Sequence, residues 1–506
     1  MSIATVYSRA QTGMYAQLVS VEVHITNGLP NFSIVGLPET AVKESKDRVR
    51  AAIINSNFEF PTRRITVNLA PADLPKQGGR FDLPIALGLL AASNQLNKKH
   101  LEGYEFLGEL SLSGHLRKSF GVLPAAHACQ QNNSQLITSY ENILELKPIS
   151  ESSYLCANHL LEVCAHLNKL EQIPVKPAPS NIKCAPTLLK MEDVQGQHRA
   201  KRALSIAAAG HHHILMIGSP GSGKSMLANR FPSLLTKLSA QETLETSSVY
   251  SIANLEVPYG NYEIRPFRAP HHSVSAIGLA GGGSIPKPGE ISLAHNGVLF
   301  LDELTEFDRR ALEILREPIE TGIVSISRAA AYAEFPARFQ LIAAMNPCPN
   351  GCDVNQFGQC QCTSEQIKRY QNKISAPLLD RIDIQISVPK LSNETLIYPL
   401  RKNKENWQIV KKAITTAKKI QLQRQGIMNG FLEGRQLNKV CHLTNDLKNY
   451  ALESLEKFKL SARAYYRILR IARTIADLDQ SKDITKAHLA EAMSYRQIDR
   501  LFRRTM

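Results

Sequence analysis

The chain has 506 residues, and its 60 Lys plus Arg against 45 Asp plus Glu give a formal charge of +15. Such a length allows roughly three domains, and the basic excess favours a polyanionic partner, nucleic acid ahead of an anionic membrane surface. Nine cysteines, an odd number without a secretory signal, argue against a disulfide framework, and no apolar stretch reaches membrane-spanning length, so a cytoplasmic protein without a membrane partner is expected.

Residues 1–170 read as a mixed α/β domain. Residues 17–24 and 64–70 alternate apolar and polar side chains as half-buried strands do, and residues 40–54 between them carry helical spacing. Three prolines among residues 172–180 predict an extended linker, assigned to 171–187. Residues 188–392 alternate strand and helix patterns around a glycine-rich loop, which predicts a parallel α/β sheet. Residues 393–506 are helical and strongly basic, as at 411–424.

The glycine-rich loop decides the chemistry. An apolar strand-like run ending at Ile217 leads into Gly218-Ser219-Pro220-Gly221-Ser222-Gly223-Lys224-Ser225-Met226, and a helical pattern follows. In that context backbone N–H groups fold around a phosphate and the helix points its positive end at the same anion. Lys224 would reach the outer phosphates of ATP, and the Ser225 hydroxyl would take one position on Mg²⁺. Residues 297–303 (GVLFLDE) form a buried-strand run ending in two acids. Asp302 suits Mg²⁺ and Glu303 suits polarising the attacking water. Residues 340–346 are another apolar run with a polar end, Asn346, which could bond the γ-phosphate or the water.

Four cysteines, Cys348, Cys352, Cys360 and Cys362, occupy 15 residues. Even scattering would place only about 0.3 there. They form a candidate tetrahedral, structural Zn²⁺ site, although the spacing lacks a C-x₂-C pair, with reduced free thiols as the alternative. His211, His212 and His213 precede a strand without acidic or cysteine partners, and no metal is expected on them. For His271 and His272, backbone hydrogen bonding in a rigid loop is the expectation. In the helical pattern after Ser461, a candidate N-cap, residues Ala464, Ile468, Ile471 and Ile475 share one face and Arg463, Arg467 and Arg470 the other. A solvated face is the ordinary outcome for Arg467 and Arg470.

The residues at 218–225, 297–303 and 346, with 377–383 (PLLDRID), resemble an AAA+ ATPase of the Mg-chelatase-like branch, which also includes the minichromosome-maintenance helicases. Residues 267–273, 281–295 and 461–470 are similar to the ComM/YifB family, and the likeness covers essentially the whole chain. It implies a hexameric, ATP-driven DNA motor promoting branch migration during natural transformation. Single-stranded and branched DNA are then the partners, with recombination proteins alongside. The implied fold is an N-terminal Lon-protease-like domain, an AAA+ core with helicase-type insertions and a C-terminal helical lid. By the same resemblance Arg381 matches the arginine finger offered to a neighbouring subunit, and Arg463 the second phosphate-sensing position. In the helicase relatives an insertion and a hairpin reach the ring's pore. Here the insertion lies within 250–291 and the hairpin at 322–336, so Arg328 is the leading DNA contact and Lys287 a weaker one.

Residues 31–92 and 103–128 resemble the Lon peptidase fold. Arg80 stands where that family has its nucleophilic serine, and residues 120–127 contain no lysine to activate one, so a peptidase is disfavoured. Two alternatives to a DNA motor remain: a metal-chelatase motor subunit, and an ATP-dependent protein remodeller.

Overall fold

The computed structural model describes residues 2–175, 189–257, 261–283, 286–328, 331–352, 360, 362–391, 406–458 and 460–496. The expected linker 171–187 falls mostly outside them, as do 392–405 at the expected start of the C-terminal domain. Its described end includes Ile173, buried in the N-terminal core.

The N-terminal region is built on a seven-stranded mixed sheet. Its strands are β1 (Ser2–Thr12), β2 (Tyr15–Thr26), β3 (Asn31–Val35), β4 (Arg64–Ala70), β5 (Tyr104–Phe106), β6 (Gln135–Ser139) and β7 (Tyr154–Ala157), in spatial order β3-β4-β2-β1-β5-β6-β7. Alternation sets the register. Val6 faces Val21 and Val21 faces Leu69 across antiparallel pairs, so one valine-rich face is buried. Helices α1 (Ser45–Asn55), α2 (Asp82–Ala92) and α3 (Val122–Gln131) complete the layers. Every residue of α2 is buried, as an apolar-all-round helix must be. A Cβ on its Gly88 would come within 2.6 Å of the Val23 side chain, so only glycine lets α2 lie this close to β2.

A second sheet has five strands, β8 (Ile214–Ile217), β9 (Phe267–Arg268), β10 (Val298–Leu301), β13 (Gln340–Met345) and β14 (Ile384–Ser387). Their order is β9-β10-β13-β8-β14 and every pair is parallel. The hairpin β11 (Ile323–Arg328) and β12 (Ala331–Pro336) stands apart from it. Strands β8, β10 and β13 are buried on both faces, which is why they read as continuous apolar runs. Ile214, Met216, Val298 and Phe300 enter one core; Leu215, Ile217, Leu299 and Leu301 enter the other.

The first of those cores is shared by α4 (His198–Gly210), α8 (Trp407–Gln425) and α9 (Ala462–Leu478). The glycine-rich loop 218–223 opens α5 (Lys224–Arg230), while α6 (Ala240–Ala253) begins in a Ser239–Glu242 capping box and α7 (Arg316–Thr321) precedes the hairpin. Ser461 caps α9 by accepting from the Ala464 N–H at 3.2 Å, and the four apolar positions from Ala464 to Ile475 are buried. Arg467 and Arg470 overturn the expectation of a solvated face. Arg467 Nη1 donates to the Asp383 carboxylate at 2.7 Å, and Arg470 Nη1 to the Gly430 carbonyl at 3.1 Å. A buried acid captures Arg467 and the Gly430 carbonyl holds Arg470, partners on other elements that helix periodicity cannot reveal.

The two sheets' domains meet at α3 and α6. The Gly121 N–H donates to the Ser251 carbonyl at 3.1 Å, and Glu145 accepts from the Val122 and Leu123 N–H groups, each at 3.2 Å, and from the Ser251 hydroxyl. A carboxylate at the positive start of α3 is thus bonded across the junction.

Candidate nucleotide site

Parallel strands β8, β10 and β13 end side by side, and each delivers one part of the site: Gly218, Asp302 and Asn346. The crevice at the carboxyl ends of such strands is where α/β folds bind ligands. Gly218 tolerates no side chain, since a Cβ there would lie 2.3 Å from the Val388 carbonyl. Gly223 has φ +96°, a left-handed conformation that lets the chain turn into α5. Lys224 Nζ is folded back on the loop, donating to the Gly218 carbonyl at 2.7 Å, the Ser219 carbonyl at 3.0 Å and Asn346 Oδ1 at 3.2 Å. Burial lowers the pKa of Lys224, and the Asp302 and Glu303 charges oppose that shift. The Ser225 hydroxyl donates to Asp302 Oδ2, so the two expected Mg²⁺ ligands are already neighbours. These are oxygen donors of the kind a hard divalent cation takes, and its charge would neutralise the β- and γ-phosphates.

Glu303 follows at once with φ +50° and ψ +50°, a left-handed conformation that L side chains rarely adopt. Its own N–H donates to Asp302 Oδ1 at 3.0 Å. The twist turns its exposed carboxylate to His272, whose Nδ1 lies 3.4 Å from Glu303 Oε2. That corrects the expectation of backbone bonding for His272. His271 keeps it in part, its Nδ1 accepting from the Ser273 N–H at 3.3 Å. His212 bonds Thr474 at 2.7 Å and His213 accepts from the Leu341 N–H at 3.0 Å, so both are core groups.

Arg381 is not beside Lys224. Its guanidinium is 13% exposed and donates to the Pro377 carbonyl at 2.8 Å and to Glu320 Oε1 at 2.6 Å, on the last turn of α7. Arg463 is exposed and makes no hydrogen bond or ion pair among the described residues. Arg328 is exposed at the described end of the hairpin, residues 329 and 330 of the turn lying outside the described set. Its Nη2 comes 3.4 Å from where a Cβ of Gly282 would stand, and Gly282 pairs with Lys287 in a short ribbon. The two basic candidates therefore converge, and neither touches Lys224.

The sulfur atoms of Cys348, Cys352, Cys360 and Cys362 lie within 4.8 Å of one another, and Cys348 and Cys360 are 3.7 Å apart. Four thiolates about 2.3 Å from Zn²⁺ span edges of roughly 3.8 Å, so this donor set fits the ion. Gly351 of the same loop packs on Pro220; a Cβ there would come 2.5 Å from the proline ring.

In the N-terminal region Arg80 is wholly buried, its guanidinium 4.5 Å above the Phe120 ring and bonded to the Phe120 carbonyl. Burial lowers its pKa to about 10. A fixed cation stacked on an aromatic ring fills this place.

Similarity to known protein families extends over most of the chain. Residues 190–396 match the family model of magnesium chelatase, subunit ChlI, residues 21–142 that of subunit ChlI of Mg-chelatase, and residues 404–496 its C-terminal model. Competence protein ComM of Haemophilus influenzae is 49% identical over 100% of this chain and 99% of its own. The chain belongs to the ComM/YifB family of Mg-chelatase-like proteins. YifB of Salmonella typhimurium is 48% identical over 99% of this chain and 98% of its own. DNA replication licensing factor Mcm6 of Drosophila melanogaster is 25% identical over 40% of this chain and 25% of its own. An AAA+ family of this kind implies ATP and Mg²⁺ as cofactors. No helix among the described residues is long and apolar enough to cross a membrane.

Sequence reading missed two residues of this ComM/YifB site. Gln197, buried at φ +53°, donates to the Ser222 carbonyl at 3.2 Å and the Pro389 carbonyl at 2.7 Å, tying the loop to the segment after β14. The Gly196-Gln197 pair before a helix was its only signal. Glu320 had none, because 61 positions separate it from Arg381.

Proposed function

We propose that this chain is an ATP-driven, ring-forming DNA motor that moves strand junctions. Lys224, Ser219 to Gly223 and Met226 hold the nucleotide, with Ser225 and Asp302 on Mg²⁺. Glu303 polarises the water and Asn346 senses the γ-phosphate. Arg381 completes the site of the next subunit in a hexamer, where its guanidinium stabilises charge on the transferring group. Arg463 acts as the second phosphate sensor from the lid.

In this reading the chain divides into a Lon-protease-like, peptidase-inactive domain at 1–170, a linker at 171–187, an AAA+ core at 188–392 and a lid at 393–506. The four cysteines hold structural Zn²⁺. The observation that carries the reading is the placing of Arg328. It stands on a hairpin rooted in α7, whose Glu320 holds Arg381. A basic tip that grips phosphates is thereby joined to a group that would feel a neighbour's ATP. The competence name of the Haemophilus influenzae relative supports DNA as the substrate, with recombination intermediates as its form.

The test is ATPase rate with DNA, unfolded protein or porphyrin added separately, followed by incubation with a mobile three- or four-way junction. DNA alone should stimulate, binding should weaken steeply with salt, and junctions should resolve only when ATP can be hydrolysed. Arg328→Ala should lose DNA stimulation and keep basal turnover. Stimulation by protein, or intact junctions beside an active ATPase, would replace the motor with a remodeller; stimulation by porphyrin, with a chelatase motor.

A further inference from the structure

The opposite end of the parallel sheet opens on a second cavity. Strand β10 begins just after Gly297, β13 begins at Gln340, and two residues separate His211 from β8. These starts border a cavity of about 580 Å³ closed on its other side by α8 and by Phe431. The nucleotide loop leaves the far ends of the same strands, so the two places are separate.

The cavity has more cations than its acids neutralise. Arg265 is satisfied, with Nη2 2.9 Å and 3.0 Å from the two Glu242 oxygens. Lys418 points in from α8 and donates to the Thr236 hydroxyl at 2.8 Å. Burial lowers its pKa to about 8, and Arg265 adds repulsion that Glu242 only partly offsets. Among the described residues Lys418, Lys419 and Arg338 have no carboxylate partner, although all three line the cavity. A partly buried ammonium whose one nearby carboxylate, Glu242, is already bonded to Arg265 is costly, and a bound anion reduces that cost.

The rest of the wall is mixed, with aliphatic side chains and the Glu245 carboxylate beside one aromatic pair. The His211 and Phe431 rings lie 4.7 Å apart at 34°, and Phe431 is 40% exposed. Gly430 makes this possible, because a Cβ there would strike the His211 carbonyl at 2.6 Å. Cations that take phosphate beside an exposed ring that takes a base are the recognition elements of nucleotides and single strands.

We propose that this cavity binds a nucleoside phosphate, with its phosphate on Lys418, Lys419 and Arg338 and its base on Phe431. The unit is either a free nucleotide or one nucleotide of a single-stranded DNA. The site goes beyond the motor reading, since nothing in the ATP cycle described above requires it.

The experiment uses the full-length Lys224→Ala protein, which disables the nucleotide loop. ADP binding is measured by calorimetry and a fluorescent dT12 oligonucleotide by anisotropy between 50 and 200 mM salt. Lys418→Gln with Arg338→Gln, and separately Phe431→Ala, are then added. At least one probe should lose about tenfold or more in affinity with each. If it is the oligonucleotide, the salt slope should fall by roughly 0.7 for each phosphate contact removed. Loss for ADP assigns a free nucleotide, and loss for dT12 assigns a DNA strand. Arg338→Gln alone changes an exposed side chain and guards against a folding artefact. Unchanged affinity of both probes, or no binding of either, overturns the proposal. Arg328→Ala in the same background reports the pore contact separately, so either reading can fail alone.

Discussion

Replacing Arg467 with Met tests the link between α9 and the start of β14. The Asp383 carboxylate is 3% exposed and its partner Arg467 16%, with 2.7 Å between charged atoms. Its other bonds are long, to His212 Nδ1 and the His213 N–H, each at 3.4 Å. Burial raises the pKa of Asp383, but Arg467 and His212 more than reverse this and hold it far below the usual carboxylate range. Arg467→Met therefore leaves this buried anion only His212 and the more distant Arg470, a loss of up to about 3–5 kcal/mol. For a unit of this size that is a fall of roughly 6–20 °C in the melting temperature of the second sheet with its packed helices. Melting by circular dichroism at pH 7.5 reads it. Asp383→Asn with Arg467→Met should lose less than the two single losses combined, by at least about 1.5 kcal/mol. The sign with pH is also set. A carboxylate whose folded pKa is depressed stabilises above its unfolded value of about 3.9 and loses that as pH falls through the folded value. The gap between variant and parent should thus narrow below about pH 4. A fall of less than about 2 °C, or a gap that does not narrow in acid, refutes the ion-pair argument.

At the nucleotide loop, Lys224→Ala should lose turnover by at least about a hundredfold, whereas Glu303→Gln should bind ATP and stay assembled without hydrolysing it; normal rates in either remove the site assignment. Arg381→Ala should bind ATP in its own subunit and fail to hydrolyse it. Mixing it with Lys224→Ala subunits should restore part of the rate at mixed interfaces, and a complete lack of rescue argues against action in trans. Metal analysis should find about one Zn²⁺ per chain, lost together with thermal stability on Cys352→Ser with Cys360→Ser. A stable, metal-free parent protein leaves those cysteines as loop residues.

What could be read from sequence was local. The loop 218–225 and the run 297–303 announce themselves because all their residues are contiguous, and strands buried on both faces give unmistakable apolar runs. The four cysteines fall within one loop and meet as sulfur atoms in space. Long-range partners left no trace. Asp383 and Arg467 are 84 positions apart, so an amphipathic helix with arginines on its polar side looked like any solvated helix. Backbone conformation was equally hidden, since nothing in the letters Asp302-Glu303 indicates that the second acid is left-handed and turned to His272. The seven-strand order of the first sheet, with β1 at its middle beside β5, depends on pairings across about a hundred residues that alternation alone cannot choose.

Glu320, on α7, lies between Arg381 and the hairpin. The residue is 55% exposed, so its pair with Arg381 contributes only about 0–1 kcal/mol despite the 2.6 Å contact. In the proposed ring, a γ-phosphate offered by a neighbouring subunit would carry more charge and take both forks of the guanidinium, and so would outcompete this carboxylate. Arg381 would then leave α7 when ATP arrives and return when phosphate departs. Gly322, at φ +72°, separates α7 from β11 by a single residue, so a shift of α7 passes directly into the strand that ends at Arg328. Glu320→Gln keeps the shape and removes the charge that draws the arginine back. Basal ATPase should stay within about threefold, because a weak surface pair is lost. DNA stimulation and junction movement should fall together, because the hairpin no longer follows the nucleotide. If junction movement per ATP hydrolysed is unchanged in Glu320→Gln, the coupling does not run through this pair, and the contact is only the resting place of Arg381 in an isolated subunit.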